Sequence, residues 1–286
     1  RPGQDDKILT SWNGLMISGF AKGYKITGNK KYLDAAINAV NFIESKIAKN
    51  DGRLQRAFKD GISKLNAYLD DYAFYVNALL DVFEIYAQPR YLQKAIVYTN
   101  FMIQHFWDPE GGSFFFTSDD HEQLIVRTKS FYDLAIPSGN SMAASNLLRL
   151  YHFIQNNDYL YKAEHIMREG AKTASENPFG FGHLLMAMYL YIKKPVEITI
   201  IRNTEKQRVN SEMVNWLNRQ FIPNGIIAII ENKSQLQELQ NYPFFKGRNL
   251  VQENQKDSDY ALVCRNFSCS LPINSIQELE RLVRMP

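Results

Sequence analysis

Residues Tyr72 to Tyr86 read YAFYVNALLDVFEIY. After a break at Gln88-Pro89, residues Tyr91 to Phe106 read YLQKAIVYTNFMIQHF. The first segment is apolar nearly all round its helical circumference, through Tyr72, Ala73, Tyr75, Val76, Leu79, Leu80 and Phe83. The second is amphipathic. A helix with no polar face is buried on every side, and one with a polar face lies against water. The pair therefore predicts an inner helix followed by an outer one, a helical hairpin whose first member is enclosed by neighbours.

The hairpin repeats. Tyr91-Leu92 with Ala95 has counterparts in Tyr32-Leu33 with Ala36 and in Tyr159-Leu160 with Ala163, at offsets of 59 and 68 residues. A second landmark moves by the same steps, from Trp12 to Asp71 to Gly139, with Asn13, Tyr72 and Asn140 beside them. Two landmarks shifting together mark a repeated supersecondary unit. The first unit carries Leu15, Met16, Gly19, Phe20 and Gly23 on its inner helix, is stopped at Gly28-Asn29, and resumes with Leu33, Ile37, Val40, Ile43 and Ile47. The third runs from Ser141 to Ile154, breaks at Asn156-Asn157, and resumes to about Ala174. Half of a fourth covers Phe181 to Ile192 and is closed by Lys193-Lys194-Pro195. Turn-rich links at 51–61 and 110–117 read as short β-hairpins. Inner and outer rings of helices imply a mainly α fold, a partial (α/α)6 toroid over residues 1–195, with an open solenoid as the rival arrangement.

Beyond Pro195 the pattern changes. Val196–Ile201, Ile226–Ile230 and Tyr260–Cys264 are short strand-like apolar runs. Helix-like segments follow at about 204–221, 234–241 and 275–284. This alternation predicts a small α/β segment over 196–286 with three parallel strands.

Composition restricts the function classes. Of 286 residues, 45% are hydrophobic and 22% charged, and the net charge is only +3. That is an ordinary globular balance with no basic run for nucleic acid and no stretch long and apolar enough to span a bilayer. The two cysteines, Cys264 and Cys269, are too few for a disulfide scaffold. They are expected as structural thiols in a reducing, cytoplasmic setting, with Cys264 buried at a strand end and Cys269 more accessible. The chain begins at Arg1 rather than Met, which suggests a fragment or processed product.

In a ring of hairpins the inner-helix starts converge on one end, where helix dipoles are mildly positive. Trp12 and Asn13, then Asp70, Asp71 and Tyr72, then Ser138 and Asn140, then His183 occupy those starts. Asp6 and Asp133 precede them, and Arg56 and Lys129 lie in the links feeding the funnel. As single residues most of these are simple N-caps or solvated charges; together they could line a funnel. Glycosyl chemistry needs paired carboxylates, for which Asp71 and Asp133 are the best placed. Epimerisation needs a base near neutrality, and His183 alone among the histidines starts an inner helix. No metal-ligand spacing, phosphate-cradling loop or nucleophile elbow is present, so neither metal nor cofactor is expected.

Four blocks resemble one family. They are Arg1-Pro2 with Asp5-Asp6-Lys7-Ile8-Leu9-Thr10-Ser11-Trp12-Asn13-Gly14-Leu15-Met16; Leu69-Asp70-Asp71-Tyr72-Ala73-Phe74; Asp133 with Ala135-Ile136-Pro137-Ser138-Gly139-Asn140-Ser141; and Cys264-Arg265-Asn266-Phe267-Ser268-Cys269. They are similar to the family of spermatogenesis-associated protein 20 and its bacterial relatives. Leu134 departs from it, standing where Gly is expected, and Phe179-Gly180-Phe181-Gly182-His183 matches loosely. The resemblance implies an (α/α)6 toroid akin to N-acylglucosamine 2-epimerases and six-hairpin glycosidases, preceded by early hairpins and a thioredoxin-like domain that this chain would lack. Two functions follow as expectations. In one, a carbohydrate or other small molecule is processed in the funnel, with Asp71 and Asp133 as acid and base, Trp12 as a stacking platform, and Asp6, Asn13, Arg56, Asp70, Tyr72, Lys129, Ser138 and Asn140 around the substrate. In the other, the toroid is a non-catalytic docking body for the upstream thioredoxin-like domain.

Overall fold

A computed structural model describes residues 5–122, 125–202, 211–248, 259–266 and 268–285. Four inner helices, α1 (Thr10–Thr27), α3 (Leu69–Ile85), α5 (Gly139–Ile154) and α7 (Gly182–Lys193), pack side by side in that order. The first three are each backed by an outer helix: α2 (Lys30–Phe42, extended by a π-helical turn over Ile43–Ile47), α4 (Pro89–Phe106) and α6 (Asn157–Glu176). The stops and starts follow local chemistry. Gly28 ends α1 in the left-handed region at φ 67°, a conformation that costs glycine little. Asn29, Ser138 and Asn156 cap α2, α5 and α6 through their side-chain oxygens, and Pro89 opens α4 where no backbone donor is needed.

Burial follows the predicted rings. Every residue of α3 from Asp71 to Phe83 is buried. On α5, Met142, Ala143, Ala144, Leu147, Leu148, Leu150 and Phe153 are buried. The two flanks of the arc differ: α1 leaves Trp12, Met16 and Ile26 exposed, and α7 leaves Met186, Tyr189 and Ile192 exposed. Seven helices make an arc, and the inner helices at its ends each have one side that no described helix covers.

Short sheets tie the hairpins together at one end. Strands β1 (Ile8–Leu9), β2 (Gln55–Lys59) and β3 (Ile62–Asn66) form an antiparallel sheet, and β4 (Trp107–Asp108) pairs with β5 (Ser113–Phe114).

The C-terminal segment departs from its predicted topology. It has four strands in the order β7-β6-β8-β9: β6 (Val196–Ile201), β7 (Gly225–Ile230), β8 (Tyr260–Arg265) and β9 (Ser268–Cys269). Only β6 and β7 are parallel. Strand β8 starts with Tyr260 opposite Ile201, at the carboxyl end of β6, and runs antiparallel to it. Helices α8 (Glu212–Asn218), α9 (Lys233–Leu239) and α10 (Ile276–Arg284) accompany the strands; the predicted start of the first at 204 lies outside the described residues. Side chains alternate across the sheet. Val196, Ile198 and Ile200 pack with α8 and α10, whereas Ile201, Tyr260 and Leu262 join the helical core. On that second face Glu197 bonds Arg248 at 2.9 Å and His152 of α5 at 3.2 Å, joining sheet to helices through a buried ion pair.

The cysteines are not separate thiols. Antiparallel pairing of β8 with β9 places Cys264 directly opposite Cys269, with Cα atoms 3.9 Å apart, and a disulfide joins them.

Candidate functional site

At the amino-terminal end of the inner helices the backbone N–H groups need acceptors, and three aspartates supply them. Asp71 accepts from Tyr68 N–H at 2.9 Å and from Ser11 N–H at 2.9 Å. Asp133 accepts from Ser138 N–H at 2.8 Å and from His183 N–H at 2.7 Å. Asp70 accepts from the backbone of Gly139. Each carboxylate reaches a neighbouring helix start, so α1–α3, α3–α5 and α5–α7 are stitched in sequence.

The adjacent acids Asp70 and Asp71 play different parts. Asp71, expected as a catalytic carboxylate, is buried, with both oxygens engaged by amides. Asp70 keeps more freedom. Burial pushes its pKa up to about 6, the adjacent Asp71 charge adds to the rise, and the Gly139 N–H and Arg56 oppose it. A Cβ at Gly139 would stand 2.5 Å from Asp70 Oδ1, so only glycine lets the carboxylate lie this close to the start of α5. Asp133, expected as the second catalytic carboxylate, is engaged at both oxygens like Asp71. His183 is partly buried; burial holds its imidazole below the usual range, and its shielded Nε2 has no hydrogen-bond partner.

The other expected residues divide between the helix starts and places away from them. Trp12 stands 65% exposed on α1. Asn13 donates back to Leu9 O at 2.8 Å. The Arg56 guanidinium lies 4.4 Å above the Tyr68 ring, which also stacks on His121 and Phe116. Ser138 caps α5. Asn140 is fully buried and clamps Phe114 at both its N–H and its carbonyl, each at 2.9 Å. Tyr72 turns into the core between Phe101 and Phe106 and accepts from Leu54 N–H, so it does not face a substrate. Asp6 pairs with Lys59 at 2.6 Å on the surface. Lys129 is bound to Asp108 at 2.8 Å, with Glu169 of α6 at 3.7 Å. At the helix starts this leaves Asp70 in the field of Arg56, whose guanidinium lies on the Tyr68 ring.

A second polar layer went unread in the sequence. Arg149 of α5 bonds Asp81 at 2.9 Å, Glu84 at 2.8 Å and the side-chain oxygen of Asn77 at 2.9 Å, all on α3. Asn77 in turn donates to Ser18 of α1 at 2.9 Å. Asn146 donates to Ala73 O, while its own Oδ1 has no partner. Besides Asp133, the His183 ring feels the more distant charges of Lys22, Asp81 and Arg149. The signal was present: Ser18, Lys22 and Lys25 recur as Asn77, Asp81 and Glu84 at the offset of 59, and Asp81 maps to Arg149 at the offset of 68. Polar residues spaced i, i+4, i+7 on an otherwise apolar helix share one face.

Among the described residues, His105, Asp119 and Asp120 bring possible metal donors together. Asp120, however, is held at about 2 chiefly by its hydrogen bond from Arg53, and a cation already occupies that position. No described helix is long and apolar enough to cross a membrane.

No family model matches the chain. Along 98% of its length it is 30% identical to an uncharacterized protein of Caenorhabditis elegans, covering 38% of that protein. Along 99% it is 27% identical to human spermatogenesis-associated protein 20, covering 37% of it. The chain thus spans a little over a third of these relatives' length. It is homologous to proteins of that name, as the four sequence blocks led us to expect. Among solved structures, the GH76 alpha-mannanase of Bacteroides thetaiotaomicron superposes over 68% of this chain and 55% of its own, with a TM-score of 0.53 and 15% identity. Cellobiose 2-epimerase from Bacillus thermoamylovorans covers 59% of this chain and 46% of its own, with a TM-score of 0.50 and 12% identity. At such identities the likeness establishes the fold, helical hairpins of an (α/α)6 toroid with small sheets.

Proposed function

We propose that this chain contributes the acid–base half of a carbohydrate-processing site at the inner-helix starts, with Asp70 as the titrating group. The single observation that carries this reading is the environment of Asp70, which lies beside two helix N-termini and whose pKa is raised to about 6. A general acid or base works best when its pKa lies near the working pH, and perturbed carboxylates gather at functional sites. Trp12, exposed on α1, offers a ring face for a sugar. Two-carboxylate hydrolysis needs a second mobile carboxyl group. Asp71 and Asp133 are engaged with backbone amides, so one titrating carboxylate favours proton transfer at the sugar, the epimerase and isomerase class of chemistry.

The test is a screen of mono- and disaccharides for binding and turnover by the full-length protein, with Asp70→Asn as the probe. Turnover should fall about 100-fold or more, the size expected for loss of a general acid–base group, while Asp71→Asn loses mainly stability. Equal activity in Asp70→Asn and the wild type would remove the proposal.

The second reading, a docking body for an upstream thioredoxin-like domain, is favoured by the exposed apolar flanks on α1 and α7. It predicts that neither aspartate variant alters sugar binding, and that alanine at Met16 or Met186 weakens association with that domain.

A further inference from the structure

The Cys264–Cys269 disulfide adds little to the fold and is placed for exchange. It closes a loop with a sequence separation of only 5, and a short loop restrains the unfolded chain less than a long one. The register of β8 on β6 runs from Tyr260 to Arg265 and does not involve β9. Strand β9 pairs with β8 alone, at the edge of the sheet. The two halves of the bridge differ in access: Cys264 is fully buried, and Cys269 is exposed. Exchange begins when a thiolate reaches one sulfur of a disulfide, and Cys269 is the half that solvent reaches.

An acid–base group stands beside the buried half. Directly paired residues of neighbouring strands share one face of a sheet, with Cβ atoms about 5 Å apart. Glu197, Cys264 and Cys269 are register partners in one row across β6, β8 and β9. All three side chains therefore stand on the face turned to the helical core. There His152 of α5 bonds Glu197 Oε1 at 3.2 Å, and Arg248 bonds Oε2 at 2.9 Å. A buried sulfur that leaves a disulfide as thiolate must collect a proton, and it must give the proton up when the bond re-forms. Glu197 and His152 both line a cavity of about 530 Å³ between the sheet and α5, α6 and α7, which gives that proton a way to and from water.

We propose that Cys264 and Cys269 form a dithiol–disulfide exchange centre, with Cys269 as the point of attack and Glu197 as the proton carrier for Cys264. The electron donor is a dithiol. Its first thiolate attacks Cys269 Sγ. A sulfur–sulfur bond forms there, the Cys264–Cys269 bond breaks, and Cys264 leaves with the electron pair and takes a proton by way of Glu197. The second thiol of the donor then attacks the donor's own sulfur in the mixed disulfide and releases Cys269, which takes the second proton. The donor ends as a disulfide, and the protein has gained two electrons and two protons. The reverse sequence re-oxidises the pair. The centre is independent of Asp70 and of any sugar chemistry at the helix starts.

The experiment equilibrates the native 286-residue chain without air in glutathione buffers of rising reduced-to-oxidised ratio. Alkylation counts the free thiols, and near-UV and far-UV circular dichroism follow the fold. The pair should pass from closed to open within those buffers while the fold persists. Structural disulfides resist reduction by glutathione, so a pair that stays joined in excess reduced glutathione, or opens only as the fold is lost, overturns the proposal. Single variants test the point of attack. Cys264→Ser, which keeps Cys269, should form a mixed disulfide with oxidised glutathione at least about tenfold faster than Cys269→Ser, because access limits exchange; equal rates or the reverse order overturn the assignment. Glu197→Gln keeps the side-chain shape and carries no proton. Opening of the pair by dihydrolipoamide, a dithiol, should slow by about tenfold or more in this variant, as for loss of an acid–base group, while the glutathione midpoint hardly moves. Glu197 also holds Arg248, so His152→Gln is the second probe and should slow the same step with the fold intact. Wild-type rates in both variants would overturn the role of Glu197.

Discussion

Asp71 does for α1 and α3 what Asp133 does for α5 and α7: each carboxylate accepts one N–H from its own side and one from the neighbouring inner helix or its cap. A buried carboxylate taking two amide bonds holds both helix ends at fixed separation, and amide donors at a helix start are otherwise unsatisfied. Asparagine at either position presents one acceptor and one NH2, so one backbone N–H loses its partner and faces a donor. We expect Asp71→Asn, at a buried site, to cost about 1–3 kcal/mol, the usual cost of stranding a buried polar group, and Asp133→Asn, at a half-buried one, to cost less. Urea denaturation of each single variant checks this. A variant as stable as the wild type would show that the stitching is dispensable.

Asp70 behaves oppositely, because its environment disfavours the charge. Its folded pKa of about 6 lies above the ordinary aspartate value of 3.8. The folded state therefore holds its proton across that interval while the unfolded chain has lost it. Stability then falls as pH rises through roughly 4 to 6 and stays low above it. Asp70→Asn removes the charge and keeps an acceptor for Gly139. The variant should be more stable than the wild type above pH 6, by up to about 2 kcal/mol after allowance for partial solvent exposure, and equal to it near pH 3. Thermal unfolding followed from pH 3 to 8 measures the difference. A gain in stability joined to a loss of turnover is the signature of a group kept for chemistry.

Much of the fold was legible because burial repeats. The Tyr-Leu landmarks at 32, 91 and 159 moved in step with Trp12, Asp71 and Gly139, and both α3 and α5 lie inside as their composition demanded. The direction of β8 was not legible, since strand composition carries no sign of direction and the connection from β7 was too short in regular structure to reveal it. The Asp70–Asp71 assignment failed for a geometric reason. Two adjacent acids at a helix start are equivalent in composition, and only the position of Ser11 across the α1–α3 contact decides which one is consumed. Tyr72 failed because its place in a repeated landmark said nothing about its rotation into the core. The Arg149 layer does leave a sequence signal, polar residues recurring at the offsets of 59 and 68, but charged residues inside an apolar helix do not by composition alone say which partner they face.

That layer makes its own prediction. Arg149 neutralises Asp81 and Glu84 on the inner wall, and burial already pushes the Glu84 carboxyl up while Arg149 opposes the rise. Arg149→Met leaves two acids without their cation and should cost about 3–5 kcal/mol at neutral pH. The sign of its pH dependence follows. Without Arg149 the folded pKa of Glu84 moves further above its unfolded value, so the folded state gains protons on acidification and part of the lost stability returns as pH falls. Denaturant midpoints at pH 7.5 and pH 5 for wild type and variant test this; a deficit that is the same at both would mean the layer is not electrostatic in origin.

The cysteines provide the last test. Separate thiols were expected, with Cys264 inert and Cys269 accessible. Strand pairing instead sets them face to face in a disulfide, Cys264 buried and Cys269 exposed. The loop they close is short, with a sequence separation of 5. In the chain-entropy account a loop of that size restrains the unfolded state by only about 2 kcal/mol. Strand β9 is two residues long and pairs with β8 alone. Reduction should therefore release β9 and its turn while β6, β7 and β8 keep their core. A native chain treated with a thiol-alkylating reagent should take up no label, and a chain reduced first should take up two. Backbone amide exchange should then quicken at Ser270, whose N–H bonds Val263 O, and stay slow at Ile198 and Ile200. The denaturation midpoint should fall by an amount equivalent to about 2 kcal/mol. Full labelling of the untreated native chain would show that the pair is not joined, and exchange spreading through β6 on reduction would show that the disulfide supports the whole sheet rather than its edge.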